Sequence, residues 1–248
     1  MLESVLPFSP DLAKKVSEYC ERHSEALPRQ LHDRWEWTTG HYRGAEIYTN
    51  AEMMSSKLQG QWMIWMAQWI APKRVLEIGT FTGFSALAWY EGTKASGAEI
   101  VTLDVTHEFL EATAKLFKEL GVDDRIILVE GPAAKTLSTL EGEFDLIFFD
   151  ADKENQKRYL DLILEQRLLS PKGVILVDNV LARGLTTGKD SNPHLEPSWR
   201  PFFEAAGETQ RKTNQDFLED PRVDTLMLPV FDGVTQMKWK EGLPAKRG

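Results

Sequence analysis

Residues 74–85 read RVLEIGTFTGFS. The first half, residues 74–79, is a short apolar run of the kind that fills a strand buried on both faces. Gly79 and Gly83 then permit a tight turn with close backbone approach. Residues 84–90 continue in a pattern that predicts a helix. Strand, glycine turn and helix together form the opening unit of a parallel α/β sheet.

Working outward, the same alternation recurs. Strands are predicted at 99–104 (EIVTLD), 125–129, 144–149 (FDLIFF) and 173–177 (GVILV), with helices at 108–120, 133–140 and 154–164 between them. The chain ends differently. A helix at 198–206 precedes two strand-like runs, 223–228 and 234–239, and Asp232-Gly233 between them signals an antiparallel hairpin. Residues before 72 show no strand: helices are expected at 11–27 and 51–70, with a polar, aromatic-rich loop between. The expected fold is α/β, a doubly wound, mostly parallel seven-stranded sheet with an antiparallel C-terminal hairpin and extra N-terminal helices. A single domain over residues 1–248 is expected, with a helical segment at 1–71 and the α/β core at 72–248. Residues 184–197 (GLTTGKDSNPHLEP) predict a mobile loop.

Composition limits the function classes. The 29 basic and 38 acidic residues among 248 leave a net charge of -9. That argues against a general polyanion binder, which needs clustered cations, so no nucleic-acid partner is expected. The most apolar stretch, residues 62–71, is too short to span a bilayer and contains Gln68, so no membrane partner is expected. Cys20 is the one cysteine, which excludes an intrachain disulfide and fits a reducing, cytoplasmic setting. Residues 1–10 have neither the basic region of a secretion signal nor the arginine-rich face of a transit peptide.

The glycine turn is not the dinucleotide pattern. Phe81 stands where a second glycine would let a pyrophosphate approach, so a cofactor without phosphates is favoured over NAD or FAD. Asp104 ends the second strand, where a carboxylate can accept both hydroxyls of a ribose; it could equally favour a helix N-terminus. Glu77 lies in an otherwise apolar strand and needs a donor or a cation. S-adenosylmethionine, with a sulfonium, an ammonium and a ribose diol, meets these demands.

Two further segments carry the chemistry. FDADKEN (149–155) follows the fourth strand and VDNV (177–180) follows the fifth. Asp150, Asp178 and Asn179 thus fall at the carboxyl ends of neighbouring strands, the ligand crevice of this architecture. Each alone could be a helix cap or an Asx turn. Together they form an all-oxygen set suited to a divalent metal, Mg²⁺ foremost, with Mn²⁺ or Ca²⁺ as alternatives. Lys153, one helical turn after Asp150, is a candidate general base beside that set.

With these residues the chain resembles the cation-dependent O-methyltransferases, the group of caffeoyl-CoA O-methyltransferase and catechol O-methyltransferase. The matching motifs are LEIGTFTGFSAL, VTLDV, VEGPA, FFDADKEN, KGVILVDNV and MLPVFDGV, in order, from about Gly60 onward. The resemblance implies a Rossmann-like class I methyltransferase fold and assigns roles by position. Glu77, Gly79, Phe81, Ser85, Asp104 and Ala133 would line the S-adenosylmethionine site, with Asp150 and Asp152 beside it and Met53 and Ser55 at its edge. Asp150, Asp178 and Asn179 would hold the metal, and Lys153 would be catalytic. It also implies a homodimer. Ala182 and Arg183 replace an aromatic residue and an Asn of the plant coenzyme A enzymes, and Gln156 replaces an aromatic. These departures favour a smaller free phenol of catechol type over a caffeoyl-CoA ester. The aromatic stretch 35–48 either lines the substrate mouth or packs under the N-terminal helices, with packing preferred. An NAD-dependent oxidoreductase is the rival from another enzyme class; a non-enzymatic cofactor-sensing protein on the same fold is the rival outside enzymes.

Overall fold

The computed structural model describes residues 9–43 and 51–243. Residues 1–8 and the 44–48 part of the aromatic stretch lie outside it. Helices α1 (Pro10–Arg22), α2 (Arg29–Tyr42) and α3 (Lys57–Ile70) precede β1 (Arg74–Ile78). Then follow α4 (Phe84–Gly92), β2 (Glu99–Asp104), α5 (His107–Leu120), β3 (Ile126–Glu130), α6 (Ala133–Thr136), β4 (Phe144–Phe149), α7 (Gln156–Glu165) and β5 (Leu169–Asp178). Helix α8 (Arg200–Glu219) leads into β6 (Val223–Leu228) and β7 (Val234–Trp239).

The seven strands form one sheet in the order β3-β2-β1-β4-β5-β7-β6. The first five run parallel, β7 pairs antiparallel with β5, and β6 with β7. Fold class, strand number and terminal hairpin are as the sequence predicts. The order reverses direction at β1, which pairs with β2 on one side and β4 on the other. That is the switch point at which open α/β sheets place their ligands.

Side chains alternate across the sheet. Leu76, Ile147, Phe149, Ile175 and Val177 enter the core beneath α7, with Tyr159, Leu160 and Ile163. Val75, Leu146, Phe148 and Leu176 enter the opposite core, with Met63 of α3 and Leu87 and Trp89 of α4. Glu77 therefore falls on the α4 side, fully buried.

Several boundaries differ from expectation. Residues 29–42, read as loop, form α2; its inward face is Leu31, Arg34 and Thr38, more polar than apolar, so no hydrophobic period betrays it. Residues 51–53 form a separate 3₁₀ turn, and α3 starts after Ser56, whose side chain caps it by accepting from the Gln59 N–H. Helix α8 runs 20 residues, well past 206, because Gln210 and Thr213 occupy buried positions between Phe203 and Phe217. Strand β5 begins at Leu169, before the predicted start, with a register shift against β4 that accommodates Pro171. Residues 184–197 form a succession of turns tied down by Arg200, which donates to the carbonyls of Lys189 and Asn192. Among the described residues no helix is long and apolar enough to cross a membrane.

Candidate active site

Four strand ends, those of β1, β2, β4 and β5, open onto one cavity of about 1570 Å³. Every sequence-predicted site residue except Glu77 lines it; Glu77 lies directly behind the wall, in β1.

The turn after β1 is built by main-chain proximity. Gly79 has φ +105, and a Cβ there would fall 2.1 Å from the Asp150 carbonyl oxygen. Only glycine lets β1 and β4 approach so closely at their ends. Gly83, with φ +82, precedes α4, and a Cβ there would strike Thr113 and Phe117 of α5. Phe81 holds a positive φ of 45 and packs edge-on against Phe109, centroids 4.7 Å apart. A bulky aromatic thus occupies the place a pyrophosphate loop leaves open.

Asp104 anchors this turn. Its Oδ2 accepts the N–H groups of Thr80 (3.0 Å) and Phe81 (2.8 Å), and its Oδ1 accepts that of Thr106 (2.9 Å). The carboxylate lies at the predicted position and also shapes the loop. A second brace comes from α2, which the sequence reading missed. Buried Arg34 donates to the Thr82 carbonyl at 2.5 Å, and Thr38 and Thr82 share a hydroxyl hydrogen bond of 2.9 Å. Burial lowers the Arg34 pKa to about 10. The described part of the aromatic stretch does both: Trp35 leans on the α3–α4 core, and Tyr42 lies edge-on to Phe109 and against Phe81, two residues that line the cavity.

Glu77 is fully buried. Its Oε2 accepts from Thr102 at 2.6 Å, and Thr102 shares a 2.6 Å hydrogen bond with Thr80. Its Oε1 has no partner in hydrogen-bonding geometry among the described residues. Burial pushes its pKa up to about 8, more than the neighbouring Thr102, Ser85 and Trp89 donors offset. An orphaned buried carboxylate oxygen beside the glycine turn suits a cationic ligand. Ser55 likewise presents a buried hydroxyl without a partner. Met53, Ala133 and Asp152 complete this half of the wall. Asp152 is held by the Tyr159 hydroxyl, which donates to it at 2.5 Å, and by Asn155.

The other half gathers Asp150, Lys153, Asp178 and Asn179. Asp178 is 1% exposed. Its Oδ2 accepts the Gln59 side-chain amide at 2.6 Å and its Oδ1 the Asn179 N–H at 2.8 Å. Gln59, on α3, carries no motif and was not foreseen. Asn179 takes a left-handed φ of 56, a conformation that Asn tolerates better than most residues. Lys153 opens a 3₁₀ turn (Lys153–Asn155) that takes up the start of the helix expected from 154, and it donates to the Asp178 carbonyl at 3.1 Å. Burial raises the pKa of both Asp150 and Asp178, and the Asp150 charge raises that of Asp178 further. Lys153 compensates them only in part. Two desolvated carboxylates and an amide oxygen fit a hard divalent cation. No cluster of three or more His, Cys, Asp or Glu side chains is arranged for a metal among the described residues; the candidate set is two Asp and one Asn.

Of the departures around the substrate, Ala182 and Arg183 line the cavity. Gln156 is instead buried between α7 and α8, where its Oε1 accepts from Gln210 at 3.0 Å.

A sequence profile of the O-methyltransferase family matches residues 36–240. The chain is 38% identical to "O-methyltransferase ankF" of Aspergillus thermomutatus over 242 residues, covering 97% of this chain and 99% of that one. It is 33% identical to "Caffeoyl-CoA O-methyltransferase 1" of Eucalyptus globulus over 188 residues, 74% of this chain and 73% of that protein. Among solved structures, the SAH-bound methyltransferase PaMTH1 of Podospora anserina superposes with a TM-score of 0.92 at 51% identity, over 97% of this chain and all of that one. Fold, site geometry and these likenesses agree, and the chain belongs to the class I, S-adenosylmethionine-dependent O-methyltransferase family.

Proposed function

We propose that the protein methylates one hydroxyl of a vicinal-dihydroxy aromatic of catechol type, using S-adenosylmethionine and a divalent cation. The observation that carries this reading is the convergence of Asp150, Asp178, Asn179 and Lys153 on one wall of the cavity whose other wall is the glycine turn. The likeness to an SAH-bound methyltransferase supports the cofactor.

When bound, the donor supplies an electrophilic methyl group and the cation supplies Lewis-acid lowering of a phenol pKa. Asp150, Asp178 and Asn179 would hold the cation, with Gln59 and the Asn179 N–H fixing the Asp178 carboxylate. Lys153, its amine on the Asp178 carbonyl, is placed to take the phenolic proton. Asp104 and the turn it anchors would receive the ribose, and Glu77 would balance the donor's positive charge. Both ligands meet in one crevice, which supplies the proximity that a displacement needs. Residues 184–197 would cover the phenol. Ala182 and Arg183 at the mouth favour a small phenol over a coenzyme A ester. Exposed Trp65 and Trp69, 58% and 72% accessible, and an α1 with no buried residue support a homodimer, testable by sedimentation.

The test is turnover with a labelled methyl donor on a catechol and its mono-hydroxy analogue, before and after thorough removal of metal. Turnover of the catechol alone, abolished by chelator and restored by Mg²⁺ or Mn²⁺, is expected. Undiminished activity in stripped enzyme, or equal rates on both phenols, refutes the reading.

A further inference from the structure

Arg183 is an unusual residue to find where it stands. It follows the metal-type ligand Asn179 by four positions and lines the same cavity. Its φ is 57 and that of Ala182 is 48, so two successive side-chain-bearing residues hold the left-handed region. That region is strained for any residue bearing a Cβ. The surroundings enforce that conformation. Both oxygens of Asp232, in the β6–β7 turn, accept the Arg183 N–H, at 2.8 and 2.9 Å. Asn192 donates to its carbonyl at 2.9 Å. Main-chain strain held from two sides is a common mark of a ligand clamp.

The side chain so presented is a cation at an aromatic mouth. The guanidinium carbon lies 5.5 Å from the centroid of Phe203 on α8. Its ion-pair neighbour is Glu52, 4.0 Å away and itself 66% exposed, at the margin where such pairs contribute little. Arg183 is 40% exposed. Asp232 spends both oxygens on the backbone N–H. The main chain of Arg183 is thus fixed where its side chain lines the cavity, and among the described residues the carboxylate that ion-pairs with its guanidinium is the solvent-facing Glu52, which a substrate carboxylate could displace, while the Asp232 charge adds to the field around it. Guanidinium groups recognise planar carboxylates through two parallel hydrogen bonds.

We propose that Arg183 is a specificity-determining residue and that the preferred acceptor is a dihydroxy aromatic bearing a carboxylate, which Arg183 pairs while the hydroxyls occupy the Asp150–Asp178–Asn179 end. This deepens, and rests on, the catechol-type reading above.

Steady-state kinetics on 3,4-dihydroxybenzoate and on 3,4-dihydroxybenzamide separate charge from size. The wild type should favour the acid through a lower KM, and that KM should rise with added salt while the amide's does not. Arg183→Ala should lower kcat/KM for the acid by about 10- to 100-fold, the range for a lost charged hydrogen-bond partner, and leave the amide nearly unchanged. Arg183→Lys should retain part of the preference and guards against a folding defect, as does S-adenosylmethionine affinity measured in each variant. Glu52→Gln, removing the competing carboxylate, should lower KM for the acid only. Equal efficiency on acid and amide, or an equal loss on both in Arg183→Ala with donor affinity intact, overturns the proposal. Failure of both compounds, and of catechol itself, to be methylated would instead refute the catechol-type reading, so the two failures are distinguishable.

Discussion

The Gln59 side-chain amide lies 2.6 Å from Asp178 Oδ2, joining α3 to the end of β5 across 119 positions of sequence. In the proposed role of Asp178 as a metal ligand, a partner of this kind would fix the orientation of its carboxylate. Replacing Gln59 with Leu should weaken the apparent activation constant for Mg²⁺ by about 10- to 100-fold, the usual cost of losing an outer partner of a metal ligand. Rates titrated with Mg²⁺ in both proteins decide it; superimposable curves would reduce Gln59 to a packing residue.

Lys153→Ala should reduce the maximal rate by about 10²- to 10⁴-fold, the range for loss of a general base. Donor affinity should barely move, because the glycine turn and Asp104 are untouched. The deficit should narrow toward high pH, where hydroxide ionises the phenol unaided. Rates on a catechol from roughly pH 6 to 10 span that change. A full rate at neutral pH would leave Lys153 as a mere tether to the Asp178 carbonyl.

Asp104→Ala should cost donor binding about 1–3 kcal/mol and should also loosen the turn, since three N–H groups lose their acceptor. Asp104→Asn keeps one acceptor oxygen and should fall between the two. Calorimetric affinities that do not change in the Ala variant would remove Asp104 from the donor site.

Glu77 predicts a pH-dependent stability of the ligand-free protein. Its folded pKa, about 8, lies above the ordinary value of 4.5. The folded state therefore holds a proton that the unfolded state releases. That contribution is complete below about 4.5 and is lost as pH rises through about 8, on the order of a few kcal/mol in all. Urea midpoints between pH 5 and 9 should fall with rising pH in the wild type. They should fall much less in Glu77→Gln. An identical slope in the two would show that another group carries the dependence.

How much was legible in advance follows from where polar residues sit. β1 to β5 announce themselves because each is a run of Val, Ile, Leu and Phe closed by Gly, Asp or Asn. The cavity-lining acids stand out for the same reason: Asp104, Asp150 and Asp178 terminate apolar runs, at the strand ends where this architecture opens its crevice. Helix α2 was not, since its buried face is Leu31, Arg34 and Thr38, chosen to hold the Thr82 carbonyl and hydroxyl rather than to fill a core. The far half of α8 was hidden likewise by Gln210 and Thr213. Gln59 lies in a helix whose residues look like ordinary core and surface, and nothing local marks its partner at Asp178. The start of the helix expected from 154 was the boundary that slipped, because Asp150 to Asn155 forms a loop and a 3₁₀ turn, with Lys153 lining the cavity, before α7 begins at Gln156.

The seating of Gly79 against the Asp150 carbonyl bears on how such an enzyme can diversify. The Asp150 N–H donates to the Ile78 carbonyl at 2.8 Å, and the Gly79 N–H to that of Leu103 at the same distance. The first bond rivets the donor half of the crevice to the half that carries Asp150, and the second ties the glycine turn to β2, both through main-chain atoms. No side-chain exchange can widen the gap between them without unpicking the sheet. Descendants of this scaffold must keep one reach from donor to acceptor and explore new acceptors only at the rim, where cavity-lining Arg183 and Phe203 can be traded while the rivet holds.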